Sequence, residues 1–184
     1  MTRPFTTIAK ITFAACLIVA ATSTTASAQS AGSWIDLANG QARAGASANG
    51  SLLQFAKSRS SSKNGVNFGH GLAIGASENG ISLSNTIGAG AGRNGVAHNL
   101  NLHIGANGTH ISHGGVTSQG GNNRVISGGQ TGVRNGQVYG GSSSTGYGPR
   151  TNVWSNSRTR QWAQSYQNRP VQNYGGQVLR NIRF

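Results

Sequence analysis

The chain has 184 residues, of which 29 are Gly, and only 9% of its residues are charged. The 15 Lys and Arg residues outnumber the 2 Asp and Glu residues, which gives a formal net charge of +13. General acid–base catalysis and hard-cation binding depend heavily on carboxylates, and the only ones are Asp36 and Glu78. We therefore expect no enzymatic activity and no cofactor.

Residues 1–28 have the pattern of a secretory signal peptide. Two basic residues precede an apolar run at 11–21, and the small residues Ala26 and Ala28 flank Ser27 as in a cleavage site. The run is too short to cross a bilayer as a helix, which takes about 20 residues. We therefore predict cleavage after Ala28 and a secreted or cell-surface protein without a transmembrane span.

The dipeptide Asn-Gly recurs through the chain, and three successive gaps between residues 49 and 94 are fifteen residues each. Both residues tolerate positive φ, so the pair favours the type I′ turn of a β-hairpin. Alternating apolar residues beside these pairs, as in Ile81-Ser82-Leu83, indicate strands. The predicted turn residues are Asn64, Gly65, Asn79, Gly80, Asn94, Gly95, Asn107 and Gly108.

These signals predict an all-β fold, a short-stranded Gly-rich repeat array in the form of a β-meander, a β-roll or a β-solenoid. In the hairpin around Asn107-Gly108, Ile104 is expected opposite Ile111, and Leu102 opposite His113. The alternative is a Gly-rich polar segment that stays disordered.

Apolar residues are densest in the middle of the chain, and this density sets the predicted boundaries. Few bulky apolar residues combined with a high net charge are typical of disordered segments. The predicted organisation is the signal peptide at 1–28, a Ser/Ala-rich segment at 29–63, the β-repeat region at 64–141 and a largely disordered basic tail at 142–184.

Three short segments, at 73–76, 86–89 and 103–106, share the pattern x-Ile-Gly-Ala. They resemble the head repeats of trimeric autotransporter adhesins over roughly 35 residues. The resemblance implies a parallel β-roll that binds host or matrix surfaces. The spacings here are 13 and 17 residues rather than constant.

Arg and aromatic residues alternate in the tail, which contains no acid. Such a pattern can neutralise a polyanion and stack on planar or sugar faces. The expected partners are anionic polysaccharide, lipopolysaccharide or extracellular nucleic acid. The alternative is a solvated, partly ordered tail whose Trp residues cover the end of the sheet. The candidate binding residues are Arg150, Arg158, Arg160, Arg169, Arg180, Arg183, Trp154 and Trp162.

All five His residues lie between residues 70 and 113. In a strand, His110 and His113 point to opposite faces, and so do His98 and His103. Since no carboxylate lies near enough in sequence to orient them, we predict no metal site.

The function that these observations favour is an exported structural or adhesive protein of the cell surface or extracellular matrix. It would associate with itself through β-strand edges, since the strands around 64–92 carry few charges. The alternative is a soluble secreted cationic protein that binds anionic envelope polymers, as an antimicrobial protein would.

Overall fold

A computed structural model describes residues 28–38, 40–120 and 124–162. These residues form ten antiparallel β-strands and, among themselves, no helix. The signal-peptide prediction for residues 1–27 therefore lies outside the described residues. The strands are β1 (Gln29–Ala38), β2 (Gln41–Asn49), β3 (Leu53–Lys63), β4 (Val66–Ser77), β5 (Gly80–Ala91), β6 (Asn94–Gly105), β7 (Gly108–Gln119), β8 (Arg124–Arg134), β9 (Gln137–Tyr147) and β10 (Arg150–Gln161).

The strands form two sheets, with orders β2-β1-β8-β9 and β10-β7-β6-β5-β4-β3. The chain builds the hairpin β1–β2 in the small sheet, then five consecutive strands of the large sheet. It returns to the small sheet as β8–β9 and finally adds β10 to the edge of the large one. The all-β prediction is confirmed, and β3 to β7 of the large sheet form a β-meander. The prediction of short strands is wrong, because β4 to β7 have 12 residues each. The parallel β-roll implied by the adhesin-like segments is wrong, because all the pairs are antiparallel.

The predicted limits of the ordered region are too narrow. Strands cover 29–63 before the predicted repeat region and 142–161 after it. The disordered-tail prediction is therefore wrong for residues 142–161, which lie in β9 and β10. The prediction failed because the sheets pack largely through Gly, Ala and Ser, so the density of large apolar residues does not mark the ordered chain.

The hairpins of the meander repeat every fourteen residues, as a twelve-residue strand plus a two-residue turn. Lys63 pairs with Val66 across the turn Asn64-Gly65, whose φ values of 52° and 74° fit type I′. The later turns are centred at 78–79, 92–93 and 106–107. This regular period explains the recurrence of Asn-Gly.

The Asn-Gly pairs do not occupy the same position in each of these turns. Asn79 and Asn107 are the second turn residues, and each following Gly opens a strand with positive φ, 128° at Gly80 and 145° at Gly108. The prediction of a turn at Asn94-Gly95 is wrong, since this pair opens β6. The turn before it is Gly92-Arg93, where Gly92 supplies the positive φ of 55°.

The predicted register of the β6–β7 hairpin is also wrong. Ile104 pairs with Thr109, and Leu102 pairs with Ile111. The turn lies one residue earlier than the Asn-Gly pair indicates, which shifts every partner by two residues. A shift of two preserves the face on which each side chain lies.

The two sheets lie close together because small residues line the space between them. A Cβ built on Gly71 of β4 would lie 2.6 Å from the backbone oxygen of Gly45. One built on Gly75 would lie 2.5 Å from the backbone oxygen of Ser30. A small apolar cluster also fills the space and consists of Ile35, Leu37, Ala97, Val116 and Val125.

Hydroxyl and amide side chains fill much of the remaining interior. Ser33 of the small sheet shares hydrogen bonds with Ser84 (2.8 Å) and Thr86 (2.7 Å) of the large sheet. Asn99 donates to Ser127 Oγ at 2.7 Å, and Asn101 accepts from Ser84 Oγ at 2.6 Å. Buried polar groups are tolerated when they are hydrogen-bonded. The bonds of Ser33 and Asn99 join the two sheets, whereas the bond between Ser84 and Asn101 joins β5 and β6 within the large sheet.

Candidate functional site

The large sheet has its bulky apolar side chains on the outside. In β4 to β7 one side of each alternation, mostly Gly, Ala, Ser and Asn, faces the small sheet, so every Ile, Leu and Phe residue and every Val residue except Val116 faces outward. Among them, Ile81 and Ile104 pair across the sheet and are each 57% exposed. We call this surface the outer face. Its other exposed residues are Phe55, Val66, Ile87, Val96 and Ile111.

Cross-strand pairing makes the outer face continuous. Ile74 pairs with Leu83, Leu83 with Leu102, and Leu102 with Ile111. An apolar row therefore crosses four strands without interruption. Near the 66–96 end, a shallow depression of about 320 Å³ is lined mainly by small and apolar residues. Contiguous exposed apolar patches larger than a few hundred Å² are rare on monomeric soluble proteins.

The His residues divide between the two sides of the large sheet. The ring centroids of His98 and His113, on the outer face, lie 6.1 Å apart. His70, also outside, hydrogen-bonds Asn85 at 2.9 Å. His103 and His110 face inward, so the predicted splitting of neighbouring His residues is confirmed. Within the part of the chain that the structure describes, no three His, Cys, Asp or Glu residues lie together as a metal site would require.

The inward pair is buried and incompletely hydrogen-bonded. His103 and His110 are cross-strand partners, 0% and 1% exposed. Their Nδ1 atoms bond Ser82 (2.9 Å) and Thr159 (2.7 Å), and each Nε2 atom has no partner. Burial lowers the pKa of both, and for His103 the charge of His110 lowers it further.

Basic residues line both edges of the outer face. On β10, Arg150, Arg158 and Arg160 share the outward side, because they lie an even number of residues apart. On the opposite edge, β3 presents Lys57, Arg59 and Lys63 outward in the same way. The β10 residues were predicted as binding residues, whereas the β3 residues were missed. Their even spacing in the Ser-rich segment was the available signal.

Tryptophan side chains lie flat on glycine positions. Trp154 of β10 covers Gly115 of β7, where a Cβ would lie 2.7 Å from its Cε2 atom. The indole is 39% exposed. On the outside of the small sheet, Trp34 covers Gly45 in the same manner and is 47% exposed. Because glycine has no side chain, each indole packs against the strand with one face of its ring and leaves the other face exposed to solvent.

Trp162, which directly follows β10, packs against the turn between β6 and β7. Its Nε1 donates to the backbone oxygen of Gly105 at 3.3 Å, and its backbone N donates to Asn107 at 3.0 Å. The Arg160 guanidinium lies 4.7 Å from the Trp162 ring centroid, within cation–π range. The other predicted binding residues, Arg169, Arg180 and Arg183, lie outside the described residues.

The carboxylate of Asp36 is held in an ion pair with Arg124. Asp36, on the outside of the small sheet, accepts two hydrogen bonds from Arg124, at 2.8 and 2.6 Å. This hydrogen bonding lowers the pKa of Asp36, and the charges of Arg124 and Arg43 lower it further. A carboxylate held in a bidentate pair is not free to act as a base.

A scan against protein-family models, a search of curated proteins and a search of solved structures each found no match. Over the described ranges, no helix is long and apolar enough to span a membrane.

Proposed function

We propose that this chain is an exported structural or adhesive protein of the cell surface or extracellular matrix, without catalytic activity. The observation that carries the proposal is the outer face, where bulky apolar side chains stay exposed although the protein has an interior to bury them in. Export is proposed from the leader sequence. In its support, β1 begins at Gln29, directly after the proposed cleavage site, so removal of the leader leaves the strand intact.

The dimensions of the outer face suit a binding surface. Six strands about 4.8 Å apart and about twelve residues long at about 3.4 Å each cover roughly 1,100 Å². A stable interface buries about 800 Å² per partner. The whole face, including its basic edges, is therefore as large as the surface that one partner buries in a stable interface.

The test measures adsorption of the exported chain, residues 29–184, to an alkyl-coated sensor. In the test variant, Ile81→Thr, Ile104→Thr and Ile111→Thr are combined, because Thr keeps the β-branched shape that favours a strand. Each Ile is about half exposed, so its contact contributes about 1 kcal/mol, and we expect roughly a hundredfold weaker adsorption.

The matched control compares two single variants, Ile104→Thr on the outer face and Ile126→Thr on the outside of the small sheet. Only the former should weaken adsorption, by about fivefold. Unchanged adsorption of the triple variant, or equal losses in the two single variants, would refute a role for the outer face.

A second candidate function is the binding of anionic envelope polymers. The observation that favours it is the basic β10 edge, where Arg158 and Arg160 lie beside the exposed Trp154 and Trp162. We expect Arg158→Gln with Arg160→Gln to weaken binding to an alginate column, and salt to weaken the wild type steeply. Arg134→Gln, at the β8–β9 turn, is the control with no expected effect. Salt-independent retention would refute this candidate.

A further inference from the structure

Among the described residues, β3 and β10 have no strand partner on their outer side, whereas the strands around 64–92, expected to offer open edges, are paired on both sides as β4 and β5. β3 and β10 have 11 and 12 residues, and every residue of both is exposed. Each pairs on one side only, with β4 and β7 respectively. An edge strand presents unpaired backbone N–H and C=O groups, and long exposed edges are templates for pairing with another chain.

The strand directions allow a second copy to continue the sheet. The large sheet has six strands and each neighbouring pair is antiparallel, so β3 and β10 run in opposite directions. Translating one copy by the width of the sheet therefore sets its β10 antiparallel to β3 of the first copy. Repeated translation extends the same sheet without limit, as a head-to-tail interface does.

For a second copy displaced only across the strands, the register inside the sheet determines which residues would meet. One row of cross-strand partners begins at Arg59 on β3 and ends at Trp154 on β10; its members are Arg59, His70, Ile87, His98, Gly115 and Trp154. In a translated copy, Arg59 therefore faces Trp154 of the second copy. Arg over an indole is a favourable cation–π arrangement.

In all but one of the other rows, the two residues that would face each other are not both charged. Lys57 ends in the row of Asn156, and Phe55 ends in the row of Arg158. Facing the small sheet, Ser58 ends in the row of Ser155. Only the last row joins two cations, Lys63 and Arg150. Opposite partners on antiparallel strands contribute about 0.2–1 kcal/mol each, and like charges cost a similar amount.

Pairing of identical edges is less favourable. Two β3 strands paired about Ser58 would place Lys57 of each copy opposite Arg59 of the other. Two β10 strands paired about Ser155 would place Arg150 opposite Arg160. Neither strand carries an acid that could compensate. In these registers, β3 against β10 brings one pair of like charges together, whereas β3 against β3 and β10 against β10 each bring two.

We propose that copies of this protein assemble head to tail, with β10 of one copy antiparallel to β3 of the next, and with Ser155 opposite Ser58. The small sheet is two strands narrower and is not continued by the same translation, so the large sheet alone carries the contact. The resulting filament presents the outer face of each copy in turn, and the cations of β3 and β10 lie between successive faces at every junction. The proposal deepens the structural role above and rests on it.

The test uses disulfide trapping in the exported chain, whose sequence after residue 28 contains no Cys. Ser58→Cys and Ser155→Cys replace exposed Ser residues with a side chain of similar size. Opposite residues on paired strands lie about 4.5–5.5 Å apart, within the Cα separation that a disulfide needs. Under mild oxidation, the double variant should form a ladder of covalent multimers on a non-reducing gel.

Two controls make the result specific. A mixture of the two single variants should give a covalent dimer and nothing larger, at least tenfold more than either single variant alone. Moving one partner, as Ser58→Cys with Ser157→Cys, should reduce the ladder at least fivefold. Equal cross-linking of Ser58→Cys with itself, or a ladder that ignores the shift, would overturn the proposal.

Failure here and failure of the proposed function give different results. Absence of a ladder, with alkyl adsorption still lost in the Ile81, Ile104 and Ile111 variant, would overturn the head-to-tail pairing and leave the adhesive role standing. A specific ladder with adsorption unaffected by that variant would support the pairing and refute the role of the outer face.

Discussion

The closeness of the two sheets makes a single methyl group at Gly75 costly. Gly75 faces the small sheet from β4, and a Cβ there would meet the backbone oxygen of Asn49 and lie 2.5 Å from that of Ser30. Ordinary contacts of a Cβ begin near 3.4 Å, so Gly75→Ala requires the sheets to separate locally by about 1 Å. Backbone atoms held by two hydrogen-bonded ladders cannot yield as a side chain would.

The expected loss follows from two opposing effects. Inserting a methyl group into a filled interior costs about 1–3 kcal/mol, and this site lies at the upper end because both obstacles are backbone. Replacing Gly with Ala also restricts the unfolded chain, which returns about 0.4–1 kcal/mol. We expect Gly75→Ala to lower the free energy of unfolding by about 2 kcal/mol.

Gly90 of β5 is the matched control. A Cβ on Gly90 would meet its nearest atom, the backbone oxygen of Asn94, at 3.4 Å. Gly90→Ala should therefore leave stability unchanged or raise it by up to about 0.5 kcal/mol. The measurement is equilibrium urea unfolding of the exported chain, followed by circular dichroism. Equal stabilities of the two variants would refute the reasoning that backbone contact between the sheets requires glycine at residue 75.

Two further predictions concern buried polar groups. The pKa values of His103 and His110 lie below the usual 6.5, so on acidification the unfolded chain binds protons before the folded chain does. The contribution of the two His residues to stability should therefore be complete above about pH 6.5. Below that pH the free energy of unfolding should fall by up to about 1.4 kcal/mol per pH unit for each His. Urea unfolding at pH 7.5 and 5.5 tests this, and an equal loss in a His103→Asn, His110→Asn variant would contradict it. Asn101→Ala should cost about 3 kcal/mol, because Asn101 bonds Ser84 and other buried groups. Asn85→Ala, on the outer face, should cost less than about 1 kcal/mol, and a similar loss at both sites would contradict the buried role.

The hairpins of the large sheet could be predicted from the sequence. Period-two alternation locates β4 to β7, and Asn64-Gly65 occupies a type I′ turn as expected. The positions of the shifted turns could not be predicted, because a Gly can supply the positive φ that the hairpin needs either from the first turn position or from the residue directly after the turn. Gly92 does so from the first turn position and Gly80 from the residue after the turn.

Which face points inward could not be predicted by the usual rule that the apolar face is buried. In β5, Ser82 and Ser84 face the small sheet, whereas Ile81 and Leu83 face outward. Where Gly71 and Gly75 face the small sheet, the space between the sheets is too narrow for bulky side chains, and the residues that approach there, such as Gly45 and Ser30, are far away in the sequence. The sequence therefore does not predict the outer face as an exposed surface, although alternation does predict that its residues lie in strands.

The edge strands were missed for a related reason. β3 and β10 contain few bulky apolar residues, and both lie in segments assigned by composition to other regions. The even spacing of Trp154, Arg158 and Arg160 is visible in the sequence, where it predicts either polyanion binding or a solvated tail whose Trp residues cover the end of the sheet. Alternation alone would have identified β10 as a strand.

The hydroxyl-rich interior has a thermal consequence. The heat capacity of unfolding rises with the apolar surface exposed and falls with the polar surface exposed. Here unfolding exposes Ser33, Thr86 and Asn99, while Ile81 and Ile104 are already largely hydrated in the native monomer. The heat capacity increment should therefore fall below the usual 12–15 cal/mol/K per residue, which gives a broad, shallow stability curve and weak cold denaturation. Covering the outer face would steepen that curve, so calorimetry of the bound and free protein would report how much of its hydrophobic stabilisation comes from its surroundings rather than from its own core.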